Sequence, residues 1–178
     1  QQYADAVSSL GKLLADGSIE DAFVPDPDQP NERSSLKAEA ERLLASLPQR
    51  GRELYELNFG SEARALLAES IKQRDVRQIV EVTRRFFLTS AGQEATILLG
   101  RLYLDQGRPL SAALMFRRVW NIPSSKSKYD PQLSLLLATS WFFANRPDDA
   151  KTVLLDVAVG KQSLKIDGKE VPLFQSPE

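Results

Sequence analysis

The stretch that decides the fold is LLGRLYLDQGRPLSAALMF, from Leu98 to Phe116. It predicts two helices separated at Gly107-Arg108-Pro109, because proline at the first turn of a helix lacks only an amide that has no helical partner. The first helix contains Gly100, although glycine inside a helix costs about 1 kcal/mol relative to alanine. The second helix carries Ala112, which is also small. We therefore expect the two helices to approach closely where Gly100 faces Ala112.

A second helix pair repeats this spacing 38 residues later and turns at Asn145-Arg146-Pro147. Both pairs carry a large residue, a small residue and an aromatic residue on the first helix, then an alanine and a large residue on the second. These repeat-packing positions are Leu99, Gly100, Tyr103, Ala112 and Phe116, followed by Leu137, Ala138, Trp141, Ala150 and Leu154. The spacing resembles the tetratricopeptide repeat (TPR). The resemblance implies an all-α fold of antiparallel helix pairs stacked as a short right-handed solenoid, with a generic helical bundle as the alternative.

The repeat is less regular outside these two pairs. Its offset exceeds the usual period of about 34 residues, and the extra residues fall in 123–130, where we expect a longer loop. Upstream, Ala68, Ile71 and Val80 fit the spacing, but Arg84 stands where a large apolar residue belongs. The segment 61–87 is therefore predicted as a third, TPR-like pair.

The rest of the chain suggests a simple order of segments. An N-terminal helix lies within 1–22, a linker rich in proline and aspartate follows at 23–35, and the repeat domain covers 36–160. Within that domain we expect one helix to end at 58–60, Ser61 to cap the next, and Asp75 to cap the helix that follows. Asp-Gly at 167–168, flanked by strand residues, predicts a small β-hairpin in 161–178.

Composition narrows the classes of function. With 23 basic and 24 acidic residues the net charge is -1, which gives no electrostatic footprint for nucleic acid. No apolar run is long enough to predict a membrane span. The chain has no cysteine and no histidine, which excludes thiol nucleophiles, thiolate zinc sites and histidine bases. We expect no catalytic residue, cofactor or metal site in this segment, and we interpret Asp26-Pro27-Asp28 as solvated linker.

A second resemblance covers most of the chain from Gly51 onward. Segments such as GRELYELNFGSEARALL and KIDGKEVPLF are similar to the N-terminal helical region of large extracytoplasmic planctomycete proteins. In those proteins similar segments precede a β-propeller with PQQ-binding-like repeats. The resemblance implies an extracytoplasmic location and a region that follows residue 178, although a cytoplasmic location stays open. The first residue, Gln1, likewise leads us to expect a processed chain or a piece of a longer protein.

The candidate binding site is the groove that the first helices of TPR pairs line. The corresponding positions are Ile97, Arg101, Leu104, Asp105, Leu135, Thr139, Phe142 and Phe143. Only Arg101 among them is basic, so we do not expect a clamp for a peptide carboxylate. We expect the apolar lining to be covered by the N-terminal helix or by a partner domain, because exposed apolar surface of this size is a liability. Binding of an apolar peptide is the alternative.

These observations lead to two functional hypotheses. In the first, the chain is a non-catalytic interaction or scaffolding module of a larger extracytoplasmic protein, and its partner is a protein or peptide. In the second, it is the accessory helical domain of a PQQ-type propeller enzyme and packs against the propeller downstream. An independent enzyme that works through carboxylates would need two acids in one pocket, and no motif in the sequence brings such a pair together.

Overall fold

A computed structural model describes residues 2–15, 22–25, 33–160, 163–166 and 169–172 of the chain. This part consists mostly of helices, with two small antiparallel strand pairs, so the prediction of a helical fold with a small β element is confirmed. The helices are α1 Gln2–Ala15, α2 Leu36–Ser46, α3 Gln49–Gln73, α4 Val76–Arg85, α5 Ser90–Asp105, α6 Pro109–Trp120, α7 Pro123–Tyr129, α8 Gln132–Phe143 and α9 Pro147–Val159. The strands are β1 Phe23–Pro25, β2 Arg33–Ser35, β3 Ser163–Ile166 and β4 Lys169–Pro172. The chain divides into two compact units, 1–95 and 96–178, and the division falls within α5.

The core of the first unit forms where α1 packs against α2 and α3. Its buried members are Val7, Leu14, Ala40, Leu44 and Tyr55. Burial raises the pKa of the Tyr55 hydroxyl above its ordinary value, and the nearby carboxylates of Glu41 and Glu56 raise it further. The neutral hydroxyl donates a hydrogen bond of 3.3 Å to the main-chain oxygen of Arg85. Tyr55 therefore ties α3 to the end of α4.

The predicted helix end at 58–60 and the predicted cap at Ser61 are wrong, because α3 runs without interruption for 25 residues. Phe59 packs in this core and its ring lies 4.9 Å from that of Tyr55. The same ring fills the space that a side chain at Gly11 of α1 would need. This packing holds residues 58–61 in a helix, although asparagine, glycine and serine at these positions favour a helix end locally.

Two α3 residues that fit the predicted third repeat by spacing do not face the interior. Ala68 and Ile71 are exposed, whereas Ala63, Leu67 and Ser70 are the buried positions of this part of α3. Since α3 is one continuous helix, the packing of its first half fixes which face of its second half points inward.

The start of α4 agrees with the sequence prediction. Arg74 takes a left-handed conformation at φ 55° and ends α3. Asp75 then accepts hydrogen bonds from the amides of Arg77 and Gln78 at 2.9 and 3.2 Å. The side chain thereby satisfies two amides that have no partner within the helix.

Replacing Asp75 with alanine should lower the free energy of unfolding by about 1 kcal/mol, because both amides lose their acceptor. Urea denaturation followed by circular dichroism measures this change. Asp75→Asn keeps an acceptor oxygen and is the matched control. An asparagine variant as unstable as the alanine variant would contradict the capping role.

In the second unit, α6 packs against α8, and α8 packs against α9. The predicted loop at 123–130 instead contains the short helix α7, with Pro123 in its first turn. Lys126 of α7 forms an ion pair with Asp156 of α9, and its ammonium lies 4.5 Å from the centre of the Trp120 ring. The buried Ser125 and these two contacts fix α7 against its neighbours.

Both strand pairs are antiparallel. β3 pairs with β4 in the register Ile166↔Lys169, which confirms the predicted hairpin, while its turn at 167–168 lies outside the described residues. The predicted linker contains a second pair, in which Phe23 of β1 lies opposite Ser35 of β2. The amide of Leu36 continues this ribbon by donating to the oxygen of Ala22 at 3.0 Å. The Asp26-Pro27-Asp28 motif between these strands lies outside the described residues.

Candidate functional site

The first repeat pair is built around Gly100. A Cβ atom at this glycine would lie 2.6 Å from Cε1 and 2.8 Å from Cζ of Phe116. Phe116 is fully buried, as is Ala112. The nearest neighbour of the glycine is therefore the Phe116 ring, whereas the sequence pattern predicted Ala112. The missing side chain makes room for an aromatic ring in the interior.

The second pair repeats this arrangement with leucine in the place of phenylalanine. Ala138 and Ala150 take the places of Gly100 and Ala112, and each is 4% exposed. Leu154, in the place of Phe116, is only half-buried. The position that is closed in the first pair is therefore partly open in the second.

The arginine in each turn has a role that the repeat spacing did not predict. The guanidinium of Arg108 lies 4.6 Å from the centre of the Tyr103 ring, and that of Arg146 lies 5.6 Å from the centre of the Trp141 ring. Cation–π attraction of this kind contributes about 0.5–1 kcal/mol at exposed sites. The arginine thereby packs each turn against the aromatic residue of its pair. The sequence signal for this contact is the Arg-Pro dipeptide that both turns share.

The predicted groove residues fall into two groups. On α5, Ile97 and Leu104 are half-buried, while Arg101 and Asp105 are exposed. On α8, Leu135 is half-buried and Thr139 is exposed, and Phe142 and Phe143 are each 65% exposed. The two phenylalanine rings pack edge to face, with their centres 6.0 Å apart. Within the second unit both rings are thus uncovered by described residues, and coverage by the N-terminal helix or by a partner domain stays a prediction.

An apolar pocket of about 240 Å³ lies on the outer side of α8 and α9. It is lined by Leu135, Ala138, Thr139, Phe142, Ala150 and Leu154. The structure thus brings three predicted groove residues of α8 together with three repeat-packing residues. Phe143 and the four predicted residues of α5 are not among the residues that line it. The pocket was not predicted, because the repeat pattern does not show that the outer side of α8 and α9 is left open.

The charges around α9 are arranged unevenly. Asp149 pairs with Arg146 at 2.8 Å, and Asp156 pairs with Lys126. Lys151, which directly follows the pocket residue Ala150, is exposed and forms no ion pair with another described residue. Helix α8 has no charged side chain along its length. The pocket therefore has an apolar lining with one unpaired ammonium group beside it.

The second unit contains one further polar network, at the junction of α6 and α8. The indole nitrogen of Trp120 donates to the Ser134 hydroxyl at 3.0 Å, and this hydroxyl donates to a carboxylate oxygen of Asp130 at 2.7 Å. Asp130 also accepts from the amide of Ser134 at 3.1 Å. The first contact joins α6 to α8, and the other two hold Asp130, the residue after α7, against the start of α8. The network is therefore explained by packing.

None of the helices in the described ranges has the length and hydropathy needed to cross a membrane. Likewise, no three acidic side chains in those ranges are grouped closely enough to hold a metal ion. The absence of a metal site from this segment stays a prediction.

Comparison with known proteins gives no match to a family model, to a curated protein or to a solved structure. The TPR-like spacing and the similarity to planctomycete propeller proteins therefore stay predictions from the residues that carry them.

Proposed function

We propose that this chain is a non-catalytic helical-repeat module that binds another protein or peptide within a larger extracytoplasmic assembly. The observation that carries the proposal is the open apolar pocket on a repeated helix pair, with Phe142 at its edge. An exposed aromatic side chain beside an apolar pocket is the kind of feature that anchors protein interfaces. The TPR-like spacing supports stacking of the pairs as a right-handed solenoid. The extracytoplasmic location, and the alternative role of packing against a downstream propeller, follow from the resemblance.

A pull-down with the full chain tests this function. Phe142→Glu places a charge beside the pocket, and Leu104→Glu places one on the α5 half of the predicted groove. We expect Phe142→Glu to reduce the captured partner at least about tenfold, since a buried anchor contributes about 2 kcal/mol or more to an interface. Quantitative mass spectrometry of proteins from the extracytoplasmic fraction measures the capture.

The matched control is Leu110→Glu, because this side chain is also exposed, at 52%, and lies on α6 in the same unit but is not among the residues that line the pocket. Circular dichroism checks that each variant remains helical. A partner that binds all three variants as well as the native chain would contradict the proposed site. The absence of any specific partner would contradict the function itself.

A further inference from the structure

The strongest candidate for a specific docking site is the outer face of α8 and α9, and the first repeat pair supplies a template for it. The spacing relates Ala113 and Phe116 of α6 to Lys151 and Leu154 of α9. Both α6 residues are fully buried; the ring of Phe116 lies against Gly100 of α5, and α6 also packs along α8. On α9, Lys151 is exposed and Leu154 is half-buried. The face that is covered on α6 is thus open on α9.

The template also indicates what shape would fit. The element that packs along α6 is a helix, α8, whose buried residues include Leu133, Leu137 and Trp141 at intervals of four. Residues at this interval lie on one face of a helix. A pocket of about 240 Å³ has room for a large apolar side chain from such a face. The occupant that matches is therefore a helix with large apolar residues spaced four apart.

Charge distinguishes this occupant from any apolar helix. Ala113, which is buried, is replaced in the repeat by Lys151, which is exposed. Lys151 lies three residues before Leu154, so on α9 it stands next to the pocket. Asp149 and Asp156 of the same helix are already paired, and Asp148 lies in the first turn, where the helix dipole favours a carboxylate. An incoming helix would therefore meet an ammonium group that has no partner among the described residues.

We infer that the outer face of α8 and α9 docks an amphipathic α-helix that carries a carboxylate beside its apolar face. The large apolar side chains fill the pocket between Leu135 and Leu154, and the carboxylate pairs with Lys151. This inference rests on the proposed binding function and assigns it a position and a class of partner. Docking through α8 of a second copy is less suitable, because that helix carries no carboxylate that could pair with Lys151.

Two synthetic helical peptides test the inference with the full chain. Both have about 18 residues, a length at which an isolated helix can form, and carry leucine at intervals of three and four. One has glutamate beside this leucine face and the other has lysine, while alanine and glutamine fill the remaining positions of both, because like charges along a whole helix would destabilise it. Fluorescence anisotropy of the labelled peptides measures the dissociation constants. We expect the native chain to bind the acidic peptide more tightly than the basic one. Lys151→Glu should weaken binding of the acidic peptide about fivefold and strengthen binding of the basic peptide.

The controls separate a specific site from general attraction. Lys72→Glu changes the net charge equally at an exposed position in the first unit and should leave the preference unchanged. Thr139→Trp fills the pocket from an exposed position, so we expect it to abolish binding of both peptides. We expect the same of the single variant Phe142→Glu, whereas Leu110→Glu, on α6, should leave binding unchanged. A preference unaffected by Lys151→Glu, or binding unaffected by Thr139→Trp, would overturn the inference.

Two other outcomes distinguish this inference from the proposed function. If the free chain self-associates in sedimentation velocity and Phe142→Glu abolishes the association, a second copy occupies the pocket and the inference is overturned. If the pull-down captures a partner that only Leu104→Glu releases, and neither peptide binds, the binding function stands while the docking site is wrong. If no partner is captured and neither peptide binds, both proposals fail.

Discussion

Gly92→Ala is expected to reduce the free energy of unfolding by about 3 kcal/mol, the upper part of the usual range for overpacking a core. A Cβ atom at this position would overlap the main-chain carbonyl of Phe86 and lie 2.8 Å from Cα of Phe87. Both phenylalanine side chains are buried. The obstacle is therefore backbone, which cannot rotate away as the end of a flexible side chain can.

The hydrogen bonds around this glycine make relaxation still harder. Its amide donates to the Thr89 hydroxyl at 3.0 Å, and that hydroxyl donates to the Phe86 oxygen at 2.8 Å. The Thr89 amide donates to the same oxygen at 2.9 Å. Moving Gly92 away from Phe86 would break the cap at the start of α5.

Urea denaturation of Gly92→Ala, followed by circular dichroism, measures the effect. Gly107→Ala is the matched control, because Gly107 has φ +69° and a Cβ there would meet no atom within 4 Å. This control should lose only about 1 kcal/mol, from the left-handed conformation alone. Equal losses in the two variants would show that the contact with Phe86 is unimportant.

The second large effect is expected at Gly100, where local propensity and packing oppose each other. Alanine in place of glycine should stabilise an isolated helix by about 1 kcal/mol. In this protein the added methyl group would press on the fully buried ring of Phe116. We expect packing to dominate and Gly100→Ala to destabilise the chain by about 2 kcal/mol.

A double-mutant cycle with Phe116→Leu tests this reason directly. The smaller side chain makes room for the methyl group, so the double variant should lose less stability than the sum of the two single changes. Thermal or urea denaturation of the four proteins provides the comparison. Additive losses, or a stabilised Gly100→Ala variant, would show that the ring moves aside at little cost.

Part of the candidate site could be found from the sequence. The resemblance to TPR proteins, mapped through the repeat spacing, selected Leu135, Thr139 and Phe142, which the structure brings together beside one pocket. It also selected Phe143, which does not line that pocket, because a helical repeat specifies a face only to within about one neighbouring position. The open pocket itself depends on Leu154 being half-buried where its counterpart Phe116 is fully buried. That difference arises from the neighbours of each helix and is absent from the repeat pattern.

The sequence by itself determined the features that depend on a few consecutive residues. It predicted the cap at Asp75, the proline-led starts of α6 and α9, and the hairpin of β3 and β4. Each of these follows from backbone preferences or from a hydrogen bond made within three or four residues. Such signals have the same meaning in most tertiary contexts.

Only the tertiary structure decided the features in which distant surfaces compete with local preference. The contact of Phe59 with α1 carries α3 through a predicted helix end, and the ion pair of Lys126 with Asp156 helps to hold a predicted loop as α7. The partner of Gly100 is likewise an aromatic ring sixteen residues away. A helix end or a glycine contributes about 1 kcal/mol locally, whereas burying one large apolar side chain contributes about 1.5–3 kcal/mol. Where the two disagree, the packing of the core determines the structure.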